Sequence, residues 1–314
     1  MADNDGQWER GVIEKLATAA LKEQRTARRW GIFWKLLTFV YVTFVLVMAV
    51  DWSDLAGSKG GKHTALVEVS GVIAPGSDAS ADKVMLALQA AFADKNTQGV
   101  VMRINSPGGS PVQAQAIFDE MKRLRQKYPE IPLYVVVEDL CASGGYYVAA
   151  AADKIYVAKG SIVGSIGVRM DGFGVVGLMD KLGIESRLIT AGKNKSLLDP
   201  FQPMQEEHRK IATELVDEIH AQFIAAVKEG RGKRLKETPD MFSGLIWTGA
   251  KSVELGLADG FGGLDYVARE VVKAEDIVDY TQKDNLAEKF ARRLGAGAMS
   301  SLLEFSARAG LVIR

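Results

Sequence analysis

The sequence predicts an α/β domain, a parallel sheet flanked by helices, preceded by one transmembrane helix. Three observations carry this. From His63 onward, short and continuously apolar runs alternate with longer amphipathic stretches. Strands without polar alternation belong to parallel sheets covered on both faces. Two of those runs end in glycine-bearing turns that lead into helices, INSPGGS at 104–110 and CASGG at 141–145. Finally, Gly31 to Val50 reads GIFWKLLTFVYVTFVLVMAV, apolar apart from Lys35 and two threonines.

Taken in order, residues 1–30 are polar and mildly amphipathic, as a cytoplasmic surface segment would be. Residues 31–51 then form the expected signal anchor, since twenty helical residues span roughly 30 Å, the thickness of a hydrocarbon core. Lys22, Arg25, Arg28 and Arg29 precede it against the single acid Glu23, whereas Asp51 and Asp54 lie beyond it. The positive-inside rule keeps the N-terminus in the cytoplasm and puts the chain beyond residue 51 on the extracytoplasmic side of the cell membrane. A cleaved signal peptide at Val47-Met48-Ala49 is the competing reading, but its basic leader would be unusually long. Residues 52–62, WSDLAGSKGGK, have the composition of a flexible linker.

ALVEV at 65–69 reads as a strand, with a helix after it near 80–95. GVVMRIN at 99–105 is a second strand, and Ser110 then caps a helix with Pro111 at its first position. LYVVV at 133–137, KIYVA at 154–158 and SRLITA at 186–191 read as further strands. A long helix over 203–229 carries Ile211, Leu215, Ile219, Phe223 and Val227 on one face. The pattern places the domain at 63–275 and weakens into a tail at 276–314.

Composition excludes several function classes. The 39 basic and 39 acidic residues balance, so no net charge suggests a nucleic-acid partner. One cysteine and three scattered histidines leave no clustered ligands for a structural zinc, and nothing calls for a cofactor. Cys141 reads as a small buried hydrophobe rather than a nucleophile.

In a parallel sheet both glycine turns lie at the carboxyl ends of strands, on the rim where ligands bind. Gly108, Gly109 and Gly144 can offer backbone N–H groups to an oxyanion, a donor type worth about 3 kcal/mol in the transition state. Ser143, between Ala142 and two glycines, is the candidate nucleophile, although no histidine lies near it in sequence.

The stretches RINSPGGS, CASGGYYVAAAADKIYVAKGSIVGSIGV, AGKNKSLLDPF and WTGAKSVELGLADGFGGL together resemble the signal peptide peptidase A family in its short form. That resemblance implies a ClpP/crotonase-like fold and a membrane-anchored serine endopeptidase that degrades cleaved signal peptides and other hydrophobic peptides. It implies a serine–lysine dyad of Ser143 and Lys195, with Ser165 orienting the lysine and Gly109 and Gly144 in the oxyanion hole. It also implies a homo-oligomeric ring whose adjoining subunits share active sites. A lysine acts as base only when neutral, and burial lowers its free pKa of about 10.4. Lys193 and Lys195 fall on one side of an extended segment, so only the family's spacing from Gly192 favours Lys195. Two other functions fit the same residues: a crotonase-like acyl-CoA enzyme, and a non-catalytic ring scaffold for hydrophobic segments.

Overall fold

A computed structural model describes residues 22, 24–26, 28–45 and 61–282. The chain divides into two units, Met1–Ser58 with Asp284–Arg314, and Lys59–Lys283. In the first unit, residues 28–45 are helical, with Ile32, Trp34, Leu36, Phe39 and Phe44 exposed along it. Among the described residues no helix is long and apolar enough to cross a membrane. The expected anchor continues to residue 51, so its last third lies outside the described residues. Most of the N-terminal segment, the linker and the tail lie outside them too.

The second unit is built on eight strands. These are β1 (His63–Ser70), β2 (Thr97–Ser106), β3 (Leu133–Ala142), β4 (Lys154–Val157), β5 (Ile162–Gly164), β6 (Ile246–Thr248), β7 (Gly260–Phe261) and β8 (Ile277–Asp279). Their order is β6-β5-β3-β2-β1-β8, with β4 paired to β3 and β7 to β4. Every pairing is parallel except β5 with β6. β3 changes neighbours along its length: Tyr134–Val137 pair with β4, whereas Leu140–Ala142 pair with β5. That fork carries the end of β3 out to the rim. β8 joins the sheet beside β1, so the domain extends past residue 275.

One face of the sheet is covered by α1 (Ala81–Ala93), α2 (Pro111–Lys127) and α3 (Gly144–Ala149). Ser110 caps α2 as its sequence position predicts, its side chain accepting from the Gln113 N–H at 3.4 Å. Ile117, Met121 and Leu124 of α2 and Val84, Leu88 and Phe92 of α1 are buried against Val67, Val100, Met102 and Val135. On the other face, Val267 packs with Val101, Val136 and Tyr156.

Two expectations are corrected. SRLITA forms no strand: Leu188 and Ile189 stay exposed, Ile189 at 96%, in an arm whose only regular element is α4 (Val176–Leu182). Without a neighbouring backbone to pair with, an apolar run cannot become a strand. Of the apolar face expected on α5 (Glu206–Arg231), only Phe223 and Val227 are buried, while Leu215 remains 44% exposed.

Candidate active site

The two glycine turns meet. β2 and β3 run side by side to Ser106 and Cys141, after a register shift beyond Ile104. A Cβ placed on Gly108 would sit 2.5 Å from the Gly144 nitrogen and 2.8 Å from Ser143 Cβ. Gly108 also has a φ of +96°, so no other residue fits there without strain.

Gly109 lies between two hydrogen bonds to one residue. Ile73 donates its N–H to Gly108 O at 2.9 Å and accepts from the Ser110 N–H at 2.8 Å. Backbone groups alternate sides along an extended stretch, so the Gly109 N–H turns away from Ile73. It turns towards Gly144, whose Cα region it approaches closely enough that a Cβ there would lie 3.2 Å from the Gly109 nitrogen. The Gly144 N–H opens α3 and, like every first-turn donor, has no helical acceptor. Gly109 and Gly144 thus lie side by side, and both line the cavity beside Ser143. Gly108, expected as a third donor, is not one, because its N–H donates to Ser106 Oγ at 3.1 Å.

Ser143 joins β3 to α3 with φ 53° and ψ −125°, a conformation that costs a non-glycine residue of order 1–3 kcal/mol. Its N–H donates to Gly164 O at 2.8 Å, which secures the turn to β5. Ser165, next after Gly164, has the same φ of 53°. Both serines line one cavity of about 630 Å³, together with Gly109, Gly144, Ile219 and Phe223. Among the described residues Arg169 is the only basic side chain lining it, and a guanidinium is no proton acceptor.

Lys195 lies elsewhere in this chain. It is exposed on the 192–199 turn, where its N–H donates to Gly192 O at 3.1 Å, and it does not line the cavity. The two lysines of that turn differ. Lys193 donates to Glu207 Oε1 at 2.7 Å, and this hydrogen bond holds the Glu207 carboxyl below its usual pKa. Lys195 has no ion-pair partner among the described residues. Cys141 is fully buried, and burial pushes its thiol pKa up, which removes it as a nucleophile.

Sequence reading missed three contributors. Ile73 orients Gly109, Tyr147 walls the cavity, and Gly244 donates to Ile166 O at 3.1 Å beside Ser165. None of the three sits in a pattern that periodicity can detect.

Residues 125–278 match the family model described as Peptidase family S49, and residues 66–159 match that of Clp protease. The chain is 32% identical over 201 residues to a Synechocystis sp. protein named as a protease, covering 64% of this chain and 70% of that one. The chain belongs to peptidase family S49, the signal peptide peptidase A family. An S49 relative in Enterococcus faecium, named for signal peptide peptidase SppA, is 32% identical over 60% of this chain and 54% of that one. Identity reaches 48% over 177 residues with a Brucella melitensis protein named Na(+)/H(+) antiporter NhaA, covering 56% of this chain. The match spans only 24% of that protein, too small a share to bring antiport with it. In this S49 chain the sheet is mostly parallel and the domain is ClpP-like.

Proposed function

We propose that the chain is a serine endopeptidase that cleaves hydrophobic peptides, signal peptide remnants among them, through a Ser143–Lys195 dyad completed between two copies. The convergence of Ser143 with the Gly109 and Gly144 amides in one cavity carries this reading. Ser143 Oγ attacks the peptide carbonyl carbon while its proton passes to the neutral Lys195 amine of an adjoining copy. The oxyanion accepts hydrogen bonds from Gly109 and Gly144. Collapse breaks the C–N bond, and the lysine ammonium gives its proton to the leaving amine. Water then attacks the acyl-serine, with Lys195 again as base. Ser165 orients that lysine.

Assembly is part of the proposal because a single chain keeps Lys195 in solvent. The arm that bears it carries Phe173 at 85% and Ile189 at 96% exposure, apolar surface suited to burial against a second copy. Burial at such a boundary disfavours an ammonium, which is what a lysine base requires. The apolar side chains of helix 28–45 and the basic flank before them support a membrane anchor with the catalytic domain outside the cytoplasm.

A fluorophosphonate probe with mass spectrometry tests the reading. Adduct at Ser143, lost in Ser143→Ala, is expected. A folded protein that never labels favours the scaffold, and coenzyme A-dependent turnover without an acyl-serine favours the crotonase-like reading.

A further inference from the structure

We propose that His220 of α5 is a positioning residue that holds the Ser165 turn against Ser143. The inference rests on the peptidase reading above and names a residue that the dyad does not include.

Ser165 has a φ of 53°, a backbone state that persists only when its surroundings enforce it. Backbone bonds supply part of that enforcement: Ser165 N–H to Leu245 O at 2.7 Å, Gly167 N–H to Ser165 O at 2.9 Å, and Gly244 N–H to Ile166 O at 3.1 Å. The side chain of His220 adds another, its Nε2 lying 3.2 Å from Ile166 O. A carbonyl oxygen can only accept, so Nε2 carries the proton there. This holds for the neutral Nε2–H tautomer and for the imidazolium alike. The contact is therefore a fixed brace rather than a switch.

Helix geometry gives the brace its purpose. Residues three apart share a helical face, and Phe223 lies three residues after His220. Its ring centroid is 5.0 Å from that of Tyr147, on the short helix that Ser143 opens. One face of α5 thus holds both serine turns, Ser143 through the Phe223–Tyr147 contact and Ser165 through the His220–Ile166 bond. The same helix receives the lysine turn at its start, where Glu207 accepts from Lys193. His220 fixes where Ser165 stands relative to the nucleophile, and so where an incoming lysine is oriented.

Two amide substitutions of different reach provide the test. The Gln side-chain nitrogen approximates Nε2, whereas that of Asn falls short by one methylene. For His220→Asn, kcat on an apolar peptide should fall about tenfold with KM within about twofold, the loss expected for one hydrogen bond. His220→Gln should stay within about threefold of the parent. Hydrogen exchange over residues 162–170, read by mass spectrometry, should quicken in the Asn variant and not in the Gln variant. Equal behaviour of the two variants in both assays, or a loss confined to KM, overturns the inference. If the parent itself neither cleaves nor labels, the peptidase reading falls, while the exchange comparison still decides whether His220 braces the turn.

Discussion

Ser143 and Ser165 stand at equivalent points on adjacent parallel strands. Ala142 pairs with Gly164, and the next residue of each strand is a serine with a φ of 53°. The Ser143 N–H to Gly164 O bond crosses between them. Two strained serines thus stand side by side on one rim and line one cavity with Gly109 and Gly144. Among the described residues no lysine or histidine lines that cavity.

Substitution should separate the two lysines of the 192–199 turn. Lys195→Ala is expected to remove peptidase activity as fully as Ser143→Ala, with the double variant little worse, because residues acting as a unit fail together. Lys193→Ala should stay within a few-fold of the parent, since its amine is engaged by Glu207 at 2.7 Å. Steady-state rates on one apolar peptide check all four proteins, and an inactive Lys193→Ala beside an active Lys195→Ala reverses the assignment.

Gly109→Ala tests the interlocked turns through stability. Its Cβ would meet Ile73 O at 2.1 Å, on backbone with a φ of 151°. Steric overlap with backbone and strain should together destabilise the fold by about 3 kcal/mol or more. Urea unfolding would show it as a lower midpoint at unchanged slope.

Much of this frame is legible in the sequence. The cores of β1 to β4 are apolar runs that no other element suits, and Ser110-Pro111 announces α2. β5 to β8 have two or three residues each, too few for any period to register. Leu188 and Ile189 mimic a strand because an exposed apolar arm and a buried strand share a composition. At the site, the pairing of glycine turns points to Ser143 on physical grounds. Ser165 and Lys195 emerge only through family resemblance, as each sits in a loop whose partners are remote. His220 is invisible to periodicity, because its partner is a carbonyl 54 residues away.

Asp259 predicts acid sensitivity. Arg231, whose side chain is fully buried, donates to Asp259 Oδ2 at 2.8 Å, and the Ile155 N–H donates to the same oxygen at 2.7 Å. Burial pushes the Asp259 carboxyl up, but the Arg231 and Ile155 hydrogen bonds and the charges of Arg231 and Arg234 outweigh it and hold the pKa below the usual range. The unfolded state then binds the proton more readily, so this stabilisation is complete above the unfolded carboxylate pKa. It is lost as pH falls through the folded value. Asp259→Asn should cost about 3–5 kcal/mol at neutral pH by stranding Arg231. Its urea midpoint should fall less steeply than the parent's between about pH 5 and pH 3.

The exposed arm should be an assembly surface. Ile189→Asp places a charge on a side chain that is 96% exposed in the single chain, so it should not disturb the isolated fold. Sedimentation should shift from an oligomer to a monomer, with activity lost in parallel. An Ile189→Asp protein that remains oligomeric and active removes this arm from the interface.

Complementation between two inactive variants tests the shared dyad most directly. Ser143→Ala and Lys195→Ala, each folded, are mixed in equal amounts under conditions that let subunits exchange. In a ring with head-to-tail contacts, about a quarter of the sites then receive an intact serine from one copy and an intact lysine from the next. A dyad shared between copies predicts recovery of about a quarter of the parental rate. Exchange without any recovery of activity would contradict it.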